Sequence, residues 1–102
     1  MIVGKVVGTI VCTQKDESLV GKKMLVVQPV NIHTLKNENS PLVALDAVGA
    51  GKGEMVMIVG GSSARNANGY SKIAVDQAII GIVDFIDIEG KSVYRKEKKD
   101  ES

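Results

Sequence analysis

Apolar residues fall into five runs, Ile2–Cys12, Met24–Ile32, Leu42–Val48, Met55–Val59 and Ile79–Ile88, each bounded by glycine, proline, asparagine, aspartate or charged residues. Runs of this length with this punctuation predict strands. No segment repeats apolar residues at helical spacing over several turns, so no long amphipathic helix is expected. The connection TQKDESLVGKK at 13–23 reads as a charged, hairpin-like link, and HTLKNENSP at 33–41 as a polar loop ended by Pro41. The longest connection is Ser62–Ala78, where Ser63–Ala67 predicts one helical turn stopped by Gly69. Five short strands and one short helical turn predict a mainly β fold, a five-stranded OB-like β-barrel.

The parity of the apolar positions adds a second expectation. Only alternate side chains of a barrel strand point inward, so one parity should be polar where the outside meets water. Two runs break this rule. Met55, Val56, Met57, Ile58 and Val59 are apolar without interruption; in the last run Ile80, Ile82, Ile86 and Ile88 share one parity and Ile79, Val83 and Phe85 the other. No further segment of the chain reads as a covering layer, so a second copy is expected on the outer face. An association-sized contact removes roughly 1,200–2,000 Å² from water, and its apolar part contributes at about 25 cal/mol per Å².

Composition narrows the function classes. The chain has 102 residues, 44% of them hydrophobic but only 3% aromatic, so valine, isoleucine, leucine, alanine and methionine supply the core. One domain of this size is expected. The formal charge of +1 generates no field that would gather nucleic acid or anionic lipid. A single cysteine, Cys12, closes no internal disulfide, and with a single histidine, His33, there is no zinc or iron–sulfur ligand set. No apolar run approaches the roughly 18 residues of a membrane span, and the N-terminal stretch contains Lys5 and Gly8 and no cleavage-site pattern. A cytoplasmic protein without metal, cofactor or membrane partner is expected.

The glycine-rich stretch DAVGAGKGE at 46–54, followed by the apolar run and GGSSAR at 60–65, invites a nucleotide-loop reading. It fails position by position. A phosphate loop around Lys52 would need a hydroxyl where Gly53 stands and a glycine where Asp46 stands. The dinucleotide pattern fits Gly49 and Gly51 but meets Glu54 at its third glycine. A nucleophile elbow through Ser62 or Ser63 lacks its closing glycine, which is Ala64, and no base stands nearby, His33 being in a distant loop. No catalytic residue is assigned.

From residue 91 the composition changes to KSVYRKEKKDES. Residues 1–90 carry 8 basic and 9 acidic groups, net −1, and residues 91–102 carry 5 and 3, net +2. Residues 1–90 are therefore read as the domain and 91–102 as a charged C-terminal tail. Within that tail, Val93 and Tyr94 are candidates for a short strand added to an exposed sheet edge.

These residues resemble a known family. MIVGKVVG at 1–8, Thr13, Lys15 and LVGKKMLVVQP at 19–29 are similar to the first half of the bacterial microcompartment vertex proteins of the EutN/CcmL family. DAVGAGKGE at 46–54, GSSAR at 61–65 and IIGIVD at 79–84 follow the family pattern in order and spacing, so the resemblance covers about residues 1–90. It implies an OB-like barrel assembling as a cyclic pentamer at the fivefold vertices of a polyhedral shell whose facets are hexameric shell proteins. On that resemblance the protein is structural and not an enzyme, and replacing a hexamer by a pentamer supplies the curvature that closes the shell. The subunit interface is then expected at Asp46, Gly49, Gly51, Gly53 and Glu54, together with Ser62, Ser63, Arg65 and Asp84. Glycines 49, 51 and 53 would provide positive φ and close backbone approach, and Glu54 and Arg65 polar locking.

The competing reading is an OB-like module for single-stranded nucleic acid. Such sites need a basic groove with aromatic stacking platforms. Here Tyr70, Phe85 and Tyr94 are scattered and the net charge is near zero.

Overall fold

In the computed structural model, which describes residues 1–14, 17–61 and 77–96, the first strand uses both of its edges. β1 (Ile2–Thr9) pairs antiparallel with β2 (Met24–Pro29) on one side and with β4 (Met55–Gly60) on the other. β3 (Leu42–Asp46) pairs antiparallel with β2, and β5 (Gln77–Ile82) antiparallel with β4. A short parallel pairing, Leu45 opposite Ala78 and Asp46 opposite Ile79, joins β3 to β5 and closes the order β1-β2-β3-β5-β4 into a barrel. Closure leaves none of these five strands with an open edge. The five-stranded OB-like barrel expected from the apolar runs is the observed fold.

Two register shifts bend the strands as closure requires. The β1–β2 ladder steps from Val6↔Val27 to Gly8↔Val26, leaving Val7 as the extra residue. The β4–β5 ladder steps from Met57↔Gly81 to Ile58↔Ile79, leaving Ile80 extra. A bulge of this kind increases local twist and re-aims the side chains beyond it. It also corrects the parity expected for the last run. Ile79 and Ile82, three residues apart, both pack with the cluster of Val6, Leu25, Val27, Ala44, Ala50, Val56 and Ile58, because the bulge at Ile80 shifts the alternation by one. Removing a large side chain from such a cluster typically costs about 2–5 kcal/mol.

A second cluster lies on the opposite face of the same strands. Leu45, Val59 and Ala78, each adjacent in sequence to an inward residue, are buried against Leu19, Met24, Ala47 and Ile80. Leu19 belongs to a 3₁₀ turn, Glu17–Leu19, in the β1–β2 connection. The expectation that no part of the chain covers an outer apolar face is therefore corrected here: the link read as a charged hairpin folds a leucine back over the sheet.

The last apolar run is not one strand. It breaks after Ile82, and Phe85–Ile88 (β6) forms a separate antiparallel hairpin with Lys91–Arg95 (β7). The turn contains Glu89 at φ 53° and Gly90 at φ 79°. The expected boundary at residue 90 thus falls inside a hairpin, and Val93 and Tyr94 lie in a strand that pairs with this chain's own β6. The helical turn expected at Ser63–Ala67 lies outside the described residues.

Candidate subunit interface

Because β5 stands between β3 and β4, the segment joining β3 to β4 cannot turn as a tight hairpin and instead crosses one end of the barrel. That segment is the glycine-rich stretch 46–54. Its middle is drawn inward, for Ala50 is fully buried and packs with the interior cluster. The Asp46 side chain, 1% exposed, starts the crossing. Its Oδ1 accepts from the amides of Val48 and Gly49 at 3.0 and 3.1 Å, an Asx turn that sets the exit from β3. Its Oδ2 lies 3.4 Å from Lys23 Nζ, and the same ammonium donates to the carbonyl of Ala50 at 2.8 Å.

The far end of the crossing is held by Glu54. Its Oε1 accepts from the Gly51 amide at 2.7 Å while its own amide donates to the Gly51 carbonyl at 3.1 Å. Gly53 N donates to Val6 O at 2.8 Å, and Val6 N to Glu54 O at 2.9 Å, so the loop is stitched to β1. Glu54 Oε2 lies 2.8 Å from Lys96 Nζ, just beyond β7. The hydrogen bond to Glu54 raises the Lys96 pKa above the ordinary lysine value, opposed by a smaller desolvation effect.

The nine residues expected at an interface are thus placed as follows. Asp46, Gly49, Gly51, Gly53 and Glu54 form one continuous loop at a barrel end. Gly49 and Gly53 have positive φ, 81° and 90°, and an added Cβ at either would meet nothing within 4 Å, so both face open space. Gly51 differs from the expectation. It is not among the positive-φ glycines, and its contribution is the amide given to Glu54. Glu54 is engaged within its own chain by Gly51 and Lys96. Asp84 is exposed between β5 and β6, and its carbonyl accepts from Lys96 N at 2.7 Å. Ser62, Ser63 and Arg65 lie outside the described residues.

The sequence model of the family described as "Ethanolamine utilisation protein EutN/carboxysome" matches residues 1–84. The chain belongs to the EutN/CcmL family. A relative named bacterial microcompartment shell vertex protein GrpN, from Rhodospirillum rubrum, is 46% identical over 87 residues, covering 85% of this chain and 97% of its own. The solved structure of Gloeobacter violaceus CcmL superposes with a TM-score of 0.88 at 38% identity, covering 94% of this chain and 98% of that one. The structure described as the GrpN pentameric microcompartment shell protein from Rhodospirillum rubrum gives 0.78 at 45% identity, covering 86% and 99%. None of these relatives supports the nucleic-acid alternative.

Within this EutN/CcmL barrel, two residues that the sequence reading did not single out organise the loop. Lys23 was one of two adjacent lysines before β2, and nothing in that pair distinguishes the one that reaches Asp46 and the Ala50 carbonyl. Lys96 stood in a segment read as a charged C-terminal tail. Its only signal was Val93-Tyr94 just upstream, an apolar pair compatible with a strand.

Proposed function

We propose that five copies of this chain close into a ring that caps the fivefold vertices of a bacterial microcompartment shell in the cytoplasm, alongside hexameric facet proteins, and that the protein is structural and not an enzyme. The observation that carries this reading is the match of its closed barrel, over 86% of the chain and at 45% identity, to a relative described as a pentameric microcompartment shell protein.

A ring of five closes only if each head-to-tail contact fixes a rotation of one fifth of a turn. A contact loop must then be rigid, and the 46–54 crossing meets that requirement through its buried Ala50, its Asx turn and its bonds to β1. On this reading Asp46, Gly49, Gly51, Gly53, Glu54 and Asp84 line the contact, joined by Ser62, Ser63 and Arg65. The open space at Gly49 and Gly53 leaves room for a neighbour's backbone.

Native mass spectrometry at modest ionic strength tests the stoichiometry. A dominant species near 54 kDa, five times the 10.8 kDa of one chain, is expected, and co-assembly with hexameric shell proteins into closed particles should require it. A monomer, or a hexamer, would overturn the vertex role.

A further inference from the structure

The β6–β7 hairpin is a sheet of its own, outside the barrel ladder. Its pairing runs from Phe85–Arg95, where the guanidinium lies 5.3 Å above the ring, to Ile88–Lys91 at the turn. None of residues 84–96 is buried, and none belongs to either core cluster. Ile86, Ile88, Val93 and Tyr94 are only half-buried. Two-stranded hairpins are marginal on their own in water, so this one depends on what ties it to the barrel.

Two polar contacts tie its base to adjacent residues where β4 begins. Val83 N donates to Met55 O at 2.8 Å, ahead of β6, and Lys96 Nζ lies 2.8 Å from Glu54 Oε2, just after β7. The opposite end, the Glu89–Gly90 turn, is exposed. The two contacts answer differently to their surroundings. The first is a neutral backbone hydrogen bond, whereas the second joins two formal charges on side chains 41% and 25% exposed, within reach of dissolved ions. The screening length falls from about 30 Å at 0.01 M salt to about 3 Å at 1 M, and so from far beyond the 2.8 Å separation of the pair to about that separation. A single exposed pair contributes little, but here it acts on an element that is itself marginal.

We infer that the β6–β7 hairpin is an ionic-strength-sensitive strap: it leaves the barrel about Val83–Asp84 as one unit, with the Lys96–Glu54 pair as its latch, while the barrel stays closed. All five barrel strands keep their partners without the hairpin, so its departure removes no rung of their ladder. Because the detached hairpin is not stable alone, the amides of both its strands lose protection together when it leaves. The strap is a regulatory element that the vertex reading neither requires nor supplies.

Hydrogen exchange of the full chain, followed by mass spectrometry from about 0.01 to about 1 M sodium chloride, tests it. Exchange across 85–96 should rise with salt by roughly two- to fivefold, the factor that an exposed ion pair supports, while the amides of β1 and β2 keep their rates. Lys96→Met should exchange fast across 85–96 at every salt concentration, and Lys96→Arg, which keeps the charge, should retain the salt dependence. Wild-type protection of the hairpin that is the same at both ends of the salt range overturns the latch, as does a Lys96→Met chain that responds to salt like wild type. A hairpin that exchanges only as slowly as β1 and β2 overturns its opening as a separate unit.

Discussion

Lys96 Nζ and Glu54 Oε2 stand 2.8 Å apart although 42 residues separate them in sequence. The other oxygen of the same carboxylate holds the Gly51 amide, so one side chain secures both the barrel-end crossing and the hairpin. Glu54→Gln keeps an acceptor for Gly51 but loses the charge, whereas Glu54→Ala loses both contacts. Hydrogen exchange should show faster exchange across 85–96 in Glu54→Gln and Lys96→Met, with the 46–54 amides unchanged. In Glu54→Ala both segments should accelerate. Protection of the hairpin unaffected by all three changes would remove the ion pair as its tether.

The same pair sets a pH dependence. Hydrogen bonding to Glu54 raises the folded-state Lys96 pKa above the ordinary 10.5. A raised lysine pKa means that the ion pair's contribution is fully present below the unfolded value and is lost only as pH climbs through the folded one. In a ¹³C titration of the lysine ε-carbons, Lys96 should therefore show a midpoint above 10.5, and Glu54→Gln should lower that midpoint.

Gly4 lies against β2 at Pro29, and a Cβ there would come within 2.6 Å of Val27 Cγ1 and 2.9 Å of the Gln28 carbonyl oxygen. The valine methyl can shift, but the backbone oxygen is held in the sheet. Gly4→Ala should destabilise the barrel by about 1–3 kcal/mol, the usual range for overpacking, measured as a lower urea midpoint with an unchanged denaturant slope.

The three loop glycines separate by conformation. At Gly49 and Gly53 the positive φ disfavours any L side chain by about 1–2 kcal/mol, while an alanine Cβ at Gly51 would sit 3.7 Å from Glu54 Oε1, an ordinary contact. Gly49→Ala and Gly53→Ala should each lower stability by roughly that amount, and Gly51→Ala should be close to neutral. Thermal unfolding of the three variants side by side makes the comparison, and a Gly51→Ala loss equal to the other two would contradict it.

Asp46 organises the start of the crossing from a buried position. Asp46→Ala would strip the acceptor from the exposed Val48 and Gly49 amides and should cost about 0.5–1.5 kcal/mol, the net contribution of a typical hydrogen bond whose donor water can then reach. Asp46→Asn keeps the turn oxygen and should cost less. Thermal melts of the two variants, together with the exchange rates of those two amides, distinguish the roles.

How far these features were legible differs from residue to residue. β1 to β4 begin at the first residues of their apolar runs because valine, isoleucine and leucine favour extended backbone and glycine or proline punctuates it, and both preferences act between near neighbours in the chain. The family motifs likewise could be read directly, since order and spacing are properties of the sequence. Other decisions needed residues far apart to meet. The parallel β3–β5 pairing, which turns the glycine-rich stretch from a hairpin into a crossing, depends on Leu45 finding Ala78. The bulge at Ile80 exists because β5 must match the curvature of β4, so it reverses a parity that strict alternation would assign. Leu19 covers an outer face only once the sheet behind it has formed, and Lys96 becomes a tether only when the hairpin swings Arg95 back beside Phe85. Amino-acid order by itself determined the strands and the family to which they belong. The closure of the barrel, the bonds of Lys23 to Asp46 and Ala50 and the grip of Glu54 on both loop and hairpin were decided by tertiary structure, because each is a contact between segments whose approach no local preference encodes.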